Sequence, residues 1–469
     1  MVKPPLADPI FINYTGHAPN PANPNSADVR LTKTRPIGDG LCRPIPGQYS
    51  GNKSGCDVIM WSAFDKTNRP GWLVVTGLLL VMIVVHGTIT SALPTLDEAL
   101  LAELGIPRAD LKFRETIFLL SSGLSGLAIG FAIQRIPPRV IVIGGLVLLS
   151  FTLFLYSRAQ SIGQLYGLYA LLGPCFASAH VVIVLVLVRQ YFARLRTLAT
   201  SVALSGTSVG AAVLPGFTVF LNESLGWRGA LDSLMLIPLA MIPVAAFMLF
   251  RPPPPAVADS AETGTEAGEK AKTQNSVNNR SAFNLTLLAV ATFGVFFAST
   301  SFLLNLFLYM RDIGMSAQFA AAGISTVFAI GLVAKVLVGA AAERWGIHPV
   351  WISQKTILLI GAVLLTSAFP GTIFPALALL GLGWAGCFVL TQVVIAEYFA
   401  GPNLGKMVGV FIVFEAVSSG SGVWLAGFMH DVFGSYHEAF VLNCAMIVMA
   451  LGAGILFRRS QKVMQPVPI

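Results

Sequence analysis

From Trp72 to Phe457 the sequence is a succession of apolar runs, each long enough to carry a helix across a bilayer. A membrane-crossing helix needs about 20 predominantly apolar residues to span roughly 30 Å of hydrocarbon. Twelve runs qualify, over about 72–95, 114–134, 139–157, 163–188, 198–221, 229–250, 283–310, 317–342, 349–368, 372–399, 406–429 and 437–457. Inside hydrocarbon every backbone N–H and C=O must find a partner within the protein, and a continuous helix supplies one for nearly all of them. The expected fold is therefore all-α, with twelve transmembrane helices. Composition agrees, since 55% of the 469 residues are apolar, 11% are charged and the mean hydropathy is +0.74. A water-soluble globular chain does not have that balance.

The polar stretches divide the chain. Residues 1–70 are rich in Pro, Asn and Gly without sustained periodicity, and read as a disordered cytoplasmic tail. The segment RPPPPAVADSAETGTEAGEKAKTQNSVNNR lacks the apolar surface to fold and reads as a linker over 252–282. It separates a six-helix half over 71–251 from another over 283–459, leaving a short tail over 460–469. Two six-helix halves around a midplane cavity are the hydropathy signature of duplicated transporter repeats.

Lys and Arg in the short loops set orientation. With the N-terminus inside, the inner loops hold Arg135 and Arg139, Arg189, Arg194 and Arg196, the linker cations, Arg344 and Lys406, and the outer loops hold far fewer. The loop after the first helix is the exception, with Arg108, Lys112 and Arg114 among Asp97, Glu98, Glu103, Asp110 and Glu115. Both termini are expected in the cytoplasm, in an inner (plasma) membrane of bacterial type. The net charge of +8 is spread over these loops, so no nucleic-acid surface is expected. Five cysteines without metal-ligand spacing predict neither a disulfide framework nor a metal site.

Three ionisable residues share one depth. Lys335 lies nine residues before Arg344, Glu415 nine after Lys406 and His180 nine before Arg189, each about 13 Å from the inner ends of their helices at 1.5 Å per residue. An ionisable group at that depth is costly, so it faces a water-filled cavity or another charge. Lys335 and Glu415 thus form either a ligand site or an ion pair that locks helices together. His86 lies further toward the outer side, and Asn305 is equally able to meet a ligand or a backbone carbonyl. Gln392 reads as structural. Gly381 to Gly386, Gly126-x-x-x-Gly130 and Gly206-x-x-x-Gly210 read as sites of close helix packing. Pro94, Pro215 and Pro243 mark expected kinks.

GAAAERWG, Gly339 to Gly346, resembles the G-x-x-x-D-R-x-G signature of the major facilitator superfamily, with GFAIQRIPPR, Gly130 to Arg139, as its first-half counterpart. RQYFARLRTLATSVALSGTSVG, Arg189 to Gly210, followed by GWRGAL, Gly226 to Leu231, resembles the join of the fourth and fifth helices in the monocarboxylate transporter and oxalate/formate antiporter branch. The resemblance implies the major facilitator fold in two pseudo-symmetric halves. It also implies a substrate-carboxylate cation on the eighth helix, at the position of Lys335. This sequence departs from the branch, which usually has arginine there. Gly331 stands where animal carriers have an aspartate, Thr95 where they have a lysine, and Gln134 where the signature has its aspartate.

The expected function is secondary active transport of small organic anions, most simply proton-coupled monocarboxylate transport by alternating access. Lys335 would bind the carboxylate, with Asn305, His180 and His86 completing the wall. Glu415 would carry the proton, and Arg135, Glu343 and Arg344 would gate the inner side. The expected partners are a small organic acid, protons and the lipid bilayer. No cofactor and no enzymatic activity are expected, because no phosphate-binding loop, zinc-protease helix or nucleophile with a positioned base is present. The alternatives are an exporter of amphipathic drugs or cations centred on Glu415, and a non-transporting membrane sensor.

Overall fold

The computed structural model describes residues 69–192, 196–251, 279–399 and 404–464. Residues 1–68 of the tail expected over 1–70, most of the linker and the end of the terminal tail lie outside the described residues, as does the side chain of Lys406, while Arg69 and Pro70 already belong to the first helix. The N-terminal half contains α1 (Arg69–Gly87), α2 (Asp97–Leu104), α3 (Arg108–Ala132), α4 (Pro138–Tyr156), α5 (Ile162–Ala177), α6 (Val181–Tyr191), α7 (Arg196–Leu234) and α8 (Leu236–Leu249). The C-terminal half contains α9 (Asn279–Asp312), α10 (Ala317–Trp345), α11 (Ile347–Thr366), α12 (Ile373–Tyr398), α13 (Leu404–Phe433) and α14 (His437–Met464).

Among the described residues eleven continuous helical stretches are long and apolar enough to cross a membrane, one of them running 51 residues from Ala199 to Leu249. At 1.5 Å per residue that stretch would be about 77 Å long, more than twice the hydrocarbon core. It reverses at Gly226, whose φ of 71° and ψ of 169° break the helix. Glycine is needed there because a side chain at positive φ is strained. The chain therefore makes twelve passes, as the hydropathy predicts.

Helix ends differ from the sequence expectation in physically readable ways. The first pass does not stop near residue 95, because a π-helical turn over Thr88–Ala92 and a 3-10 turn over Leu93–Leu96, with Pro94 in its first turn, carry the axis on into α2. The fourth pass, expected to be continuous over 163–188, is broken between Ala177 and Val181. Pro174 precedes the break, and His180, extended at φ −90° and ψ 172°, begins the next helix. In the C-terminal half, α9 starts at Asn279, inside the expected linker, and α14 runs on to Met464.

Packing repeats between halves. The α1–α7, α3–α5 and α4–α8 pairs of the first half correspond to α9–α13, α10–α12 and α11–α14 of the second. One apolar core lies wholly within residues 74–249 and two further cores lie almost wholly in the second half. Large apolar side chains such as Phe131, Val336 and Phe247 are 74%, 72% and 65% exposed, as suits a lipid-facing belt. Between halves, α3 packs on α13 and α7 on α10.

Small residues set the closest approaches. A Cβ on Gly206 or Gly210 would strike the carbonyls of Leu79 and Ile83 on α1, and one on Gly381 would strike that of Val327 on α10. The Gly126-x-x-x-Gly130 pair behaves otherwise, with no atom within 4 Å of a Cβ at either position. The close-packing expectation is wrong for that pair, where no neighbouring helix among the described residues comes close enough to meet a Cβ.

Candidate functional site

Both interfaces between halves run through the middle of the bundle, and Lys335 lies at one of them. From α10 its Nζ donates to Oγ of Ser208 on α7, in the other half, at 3.0 Å. The ammonium also stands 5.7 Å from the ring centroid of Trp384 on α12. Gly331, one turn earlier on α10, leaves space that Trp384 fills, since a Cβ there would lie 3.4 Å from the indole. Trp384 meets Phe328 edge-on at 5.1 Å and continues to Phe388 and Phe296, with centroids 6.3 and 6.1 Å apart. An aromatic wall therefore flanks a cation that joins the halves. Neither Ser208 nor Trp384 is singled out by sequence pattern: the first hides in a small-residue stripe and the second in GLGWAG.

Lys335 and Glu415 are not brought together as an ion pair. Glu415 is 8% exposed and both its carboxyl oxygens accept from Nε2 of Gln392, at 2.8 and 3.0 Å. Gln392, on α12, is thus the residue that orients Glu415 on α13. The locking ion pair is absent, and among the described residues Lys335 has no carboxylate partner.

The two histidines meet. His86 on α1 and His180 at the break between α5 and α6 stack with centroids 5.9 Å apart, and Phe176 lies 4.2 Å from the His86 ring. His86 Nε2 lies 3.3 Å from the carbonyl of Ala179, one of the groups that the break removes from helical bonding. Lys335 is within Coulombic range of His86. Immediately after His180, α6 opens with N–H groups that have no preceding helical carbonyl, and such a terminus favours negative charge.

Asn305 belongs elsewhere. It is fully buried, its Nδ2 donates to the carbonyls of Ser301 and Val423 at 2.9 and 3.4 Å, and its Oδ1 accepts from the hydroxyl of Tyr436 at 3.3 Å. All those partners lie in its own half, so it stitches α9 to α13 and α14.

The halves are fastened at the end of the bundle opposite the linker, here the distal end. Arg108 holds Asp312 through two bonds of 2.5 and 2.7 Å, and Arg311 holds Glu98 at 2.6 and 3.0 Å. The backbone N–H groups of Arg108 and Ala109 donate to Asp431 at 3.0 and 2.6 Å, capping α3 from the other half. At the linker end Arg135, Glu343 and Arg344 are exposed, and among the described residues they form no ion pair. The three expected gating residues are thus not joined by an ion pair in this conformation. Sequence reading took the distal charges for a mixed loop, because their pairing across halves leaves no local pattern.

The Major Facilitator Superfamily profile matches residues 78–366 and 289–468. Monocarboxylate transporter 3 of Rattus norvegicus is 25% identical over 394 residues, which cover 81% of this chain and 78% of that one. The agnestins efflux protein AgnL12 of Paecilomyces divaricatus is 27% identical over 219 residues, 46% of this chain, and the chain spans 47% of that relative's length. A bacterial homologue of the human lysosomal transporter Spinster, solved in an inward-facing and occupied conformation, shares the fold with a TM-score of 0.66 at 15% identity, covering 86% of this chain and 100% of that one. With twelve passes, a repeated half and a family match across both halves, the chain is a multi-pass membrane transporter of the Major Facilitator Superfamily, similar to its monocarboxylate-transporter branch.

Proposed function

We propose that the protein carries small organic anions, monocarboxylates with an apolar or aromatic body, together with protons by alternating access. The observation that carries this reading is Lys335: an intramembrane ammonium with no carboxylate partner among the described residues, reaching across the interface to Ser208 beside an aromatic wall. Keeping a cation at that depth is costly unless an anion completes it. Lysine is a compact point charge rather than a planar fork. A single carboxylate therefore suits it, and the ring faces of Trp384 and Phe328 suit the body behind that carboxylate. His86, His180 and the free start of α6 would add polar groups on the side of the first half.

Glu415 would accept the proton. Anion and proton binding together keep the cavity close to neutral, which lowers the barrier to rocking one half against the other. Because Lys335 joins α10 to α7, substrate binding there acts on a contact that must change when the halves move. The linker side is taken as cytoplasmic from its excess of Lys and Arg, which makes the distal closure an external one.

A second reading is an exporter of amphipathic cations with Glu415 as the binding charge. Both oxygens of Glu415 are already held by Gln392, whereas Lys335 has only a neutral hydroxyl, and this asymmetry favours the anion. The direction of net flux is separate, and one of the similar proteins is an agnestins efflux protein, so export is to be measured beside uptake. The deciding experiment is uptake and counterflow of labelled carboxylates in proteoliposomes, with and without an imposed pH gradient and with lipophilic cations as competitors. Competition by cations but not by carboxylates would discard the anion reading.

A further inference from the structure

A second group of buried charges lies away from Lys335 and Glu415, one turn inside the distal closure. Asp97 at the start of α2 and Lys112, Arg114 and Glu115 on α3 are each at most 1% exposed. Asp97 takes both cations: Lys112 Nζ donates to it at 2.6 Å and Arg114 donates to its other oxygen. Arg114 also donates to the Tyr156 hydroxyl at 2.8 Å and lies 4.6 Å over the Tyr169 ring. Lys112 makes one further bond, to the backbone carbonyl of Leu304 on α9 in the opposite half. The ammonium is thus shared between Asp97 and the other half of the molecule.

Glu115 is the least satisfied member of the group. Among the described residues neither of its oxygens has a hydrogen bond of good geometry, Arg114 pairs with it only at 3.7 Å, and Tyr169 lies beside it. An ionised carboxylate buried without a hydrogen bond is strongly disfavoured, whereas the neutral acid is far less so. The Lys112 ammonium is held by Asp97 and, across the interface, Leu304, and the two terminal nitrogens of Arg114 are held by Tyr156 and Asp97.

We propose that Glu115 is a proton site that reports on, and sets, the distal closure: it holds a proton while Lys112 is latched to Leu304, and releases it to the distal side when the halves part. Parting removes the Leu304 carbonyl from Lys112 and lets water into the cluster, so an ionised Glu115 gains both a cation and hydration. By linkage, acidification on the distal side then favours the closed form, because that form binds one more proton. The proposal needs only that the two halves rock, and stands apart from the roles of Lys335 and Glu415.

Several titratable groups surround this site, and the test must separate them. Asp97, Lys112 and Arg114 belong to the cluster, with Tyr169 from α5 and Tyr156 from α4 beside it. Helix α13 presents Gly420 and Gly427 to α3. Its His430, nearer the distal end, lies 3.3 Å from Asp312 within the second half. The experiment places spin labels at Ala102→Cys and Ser316→Cys, exposed distal positions in opposite halves, on the full chain with its native cysteines replaced. Distance distributions are then recorded as a function of pH.

The closed-to-open ratio should rise as pH falls, by up to about tenfold per pH unit where only the closed form holds the proton. Glu115→Gln should hold the closed population high and independent of pH, while His430→Gln should keep the wild-type response. A wild-type distribution that does not move with pH overturns the proposal even if Glu115→Gln does not fold. So does a Glu115→Gln protein that responds like wild type, or a response lost in His430→Gln.

Discussion

The Nζ of Lys335 donates to Oγ of Ser208 at 3.0 Å, and the two residues belong to different halves of the transporter. A bond of this kind forms or breaks when the halves move, so whatever occupies the lysine also acts on the interface. A carboxylate bound there would compete with Ser208 for the ammonium and change the cost of opening the α7–α10 contact.

Lys335→Gln is expected to raise the half-saturation concentration for a carboxylate steeply, while Lys335→Arg keeps measurable flux with altered selectivity. Loss of a charge-assisted hydrogen bond costs about 1.5–3 kcal/mol, equivalent to roughly 10- to 150-fold in apparent affinity. Half-saturation concentrations in proteoliposomes give the comparison, and an unchanged value in Lys335→Gln would remove the assigned role.

Glu415→Gln should uncouple transport from protons. A neutral amide keeps the packing against Gln392 but cannot take up or release a proton. Exchange of labelled for unlabelled substrate should persist, whereas accumulation driven by an inside-alkaline gradient should vanish. Retained gradient-driven accumulation would move the coupling role to another group.

Gly210→Ala and Gly126→Ala should have opposite effects on stability. Alanine is the better helix former by about 1 kcal/mol. At Gly126 nothing lies in the way of the added methyl, so that gain should stand. At Gly210 the methyl meets the carbonyl of Ile83, and overpacking of about 1–3 kcal/mol should exceed the gain. Thermal unfolding in detergent, followed by intrinsic fluorescence, should show a lower midpoint for Gly210→Ala only.

Combined replacement of Arg108 and Arg311 by alanine should loosen the distal closure modestly. Partly exposed ion pairs contribute about 0–1 kcal/mol each, so removing both should raise the open population by no more than about 30-fold. The same double-label distance measurement reads it, and raised ionic strength should reproduce part of the effect. A change far above that limit would mean that the backbone caps on Asp431 were lost as well.

The separate fates of Lys335 and Asn305 mark how far sequence reading reached. Lys335 was legible because an ammonium nine residues from the helix end has no cheap position in a bilayer other than a cavity or a pair. Asn305 was ambiguous because an amide is satisfied equally by a ligand or by Ser301, Val423 and Tyr436, and only packing chose the latter. Gln392 read as structural, yet it supplies both bonds to Glu415 from a different helix. The break before His180 left a proline upstream as its only local sign.

Twelve crossings and their division into two sets of six followed from the sequence alone, because hydrocarbon sets the length of each helix and penalises every misplaced charge. The pairings did not. Which helix Lys335 would touch, that Glu415 would be held by an amide rather than by that lysine, and that Lys112 would reach Leu304 depend on contacts between residues 23 to 192 positions apart. Such contacts arise from how finished helices dock, through glycine-lined faces and side-chain shape, and no local pattern in the chain encodes them.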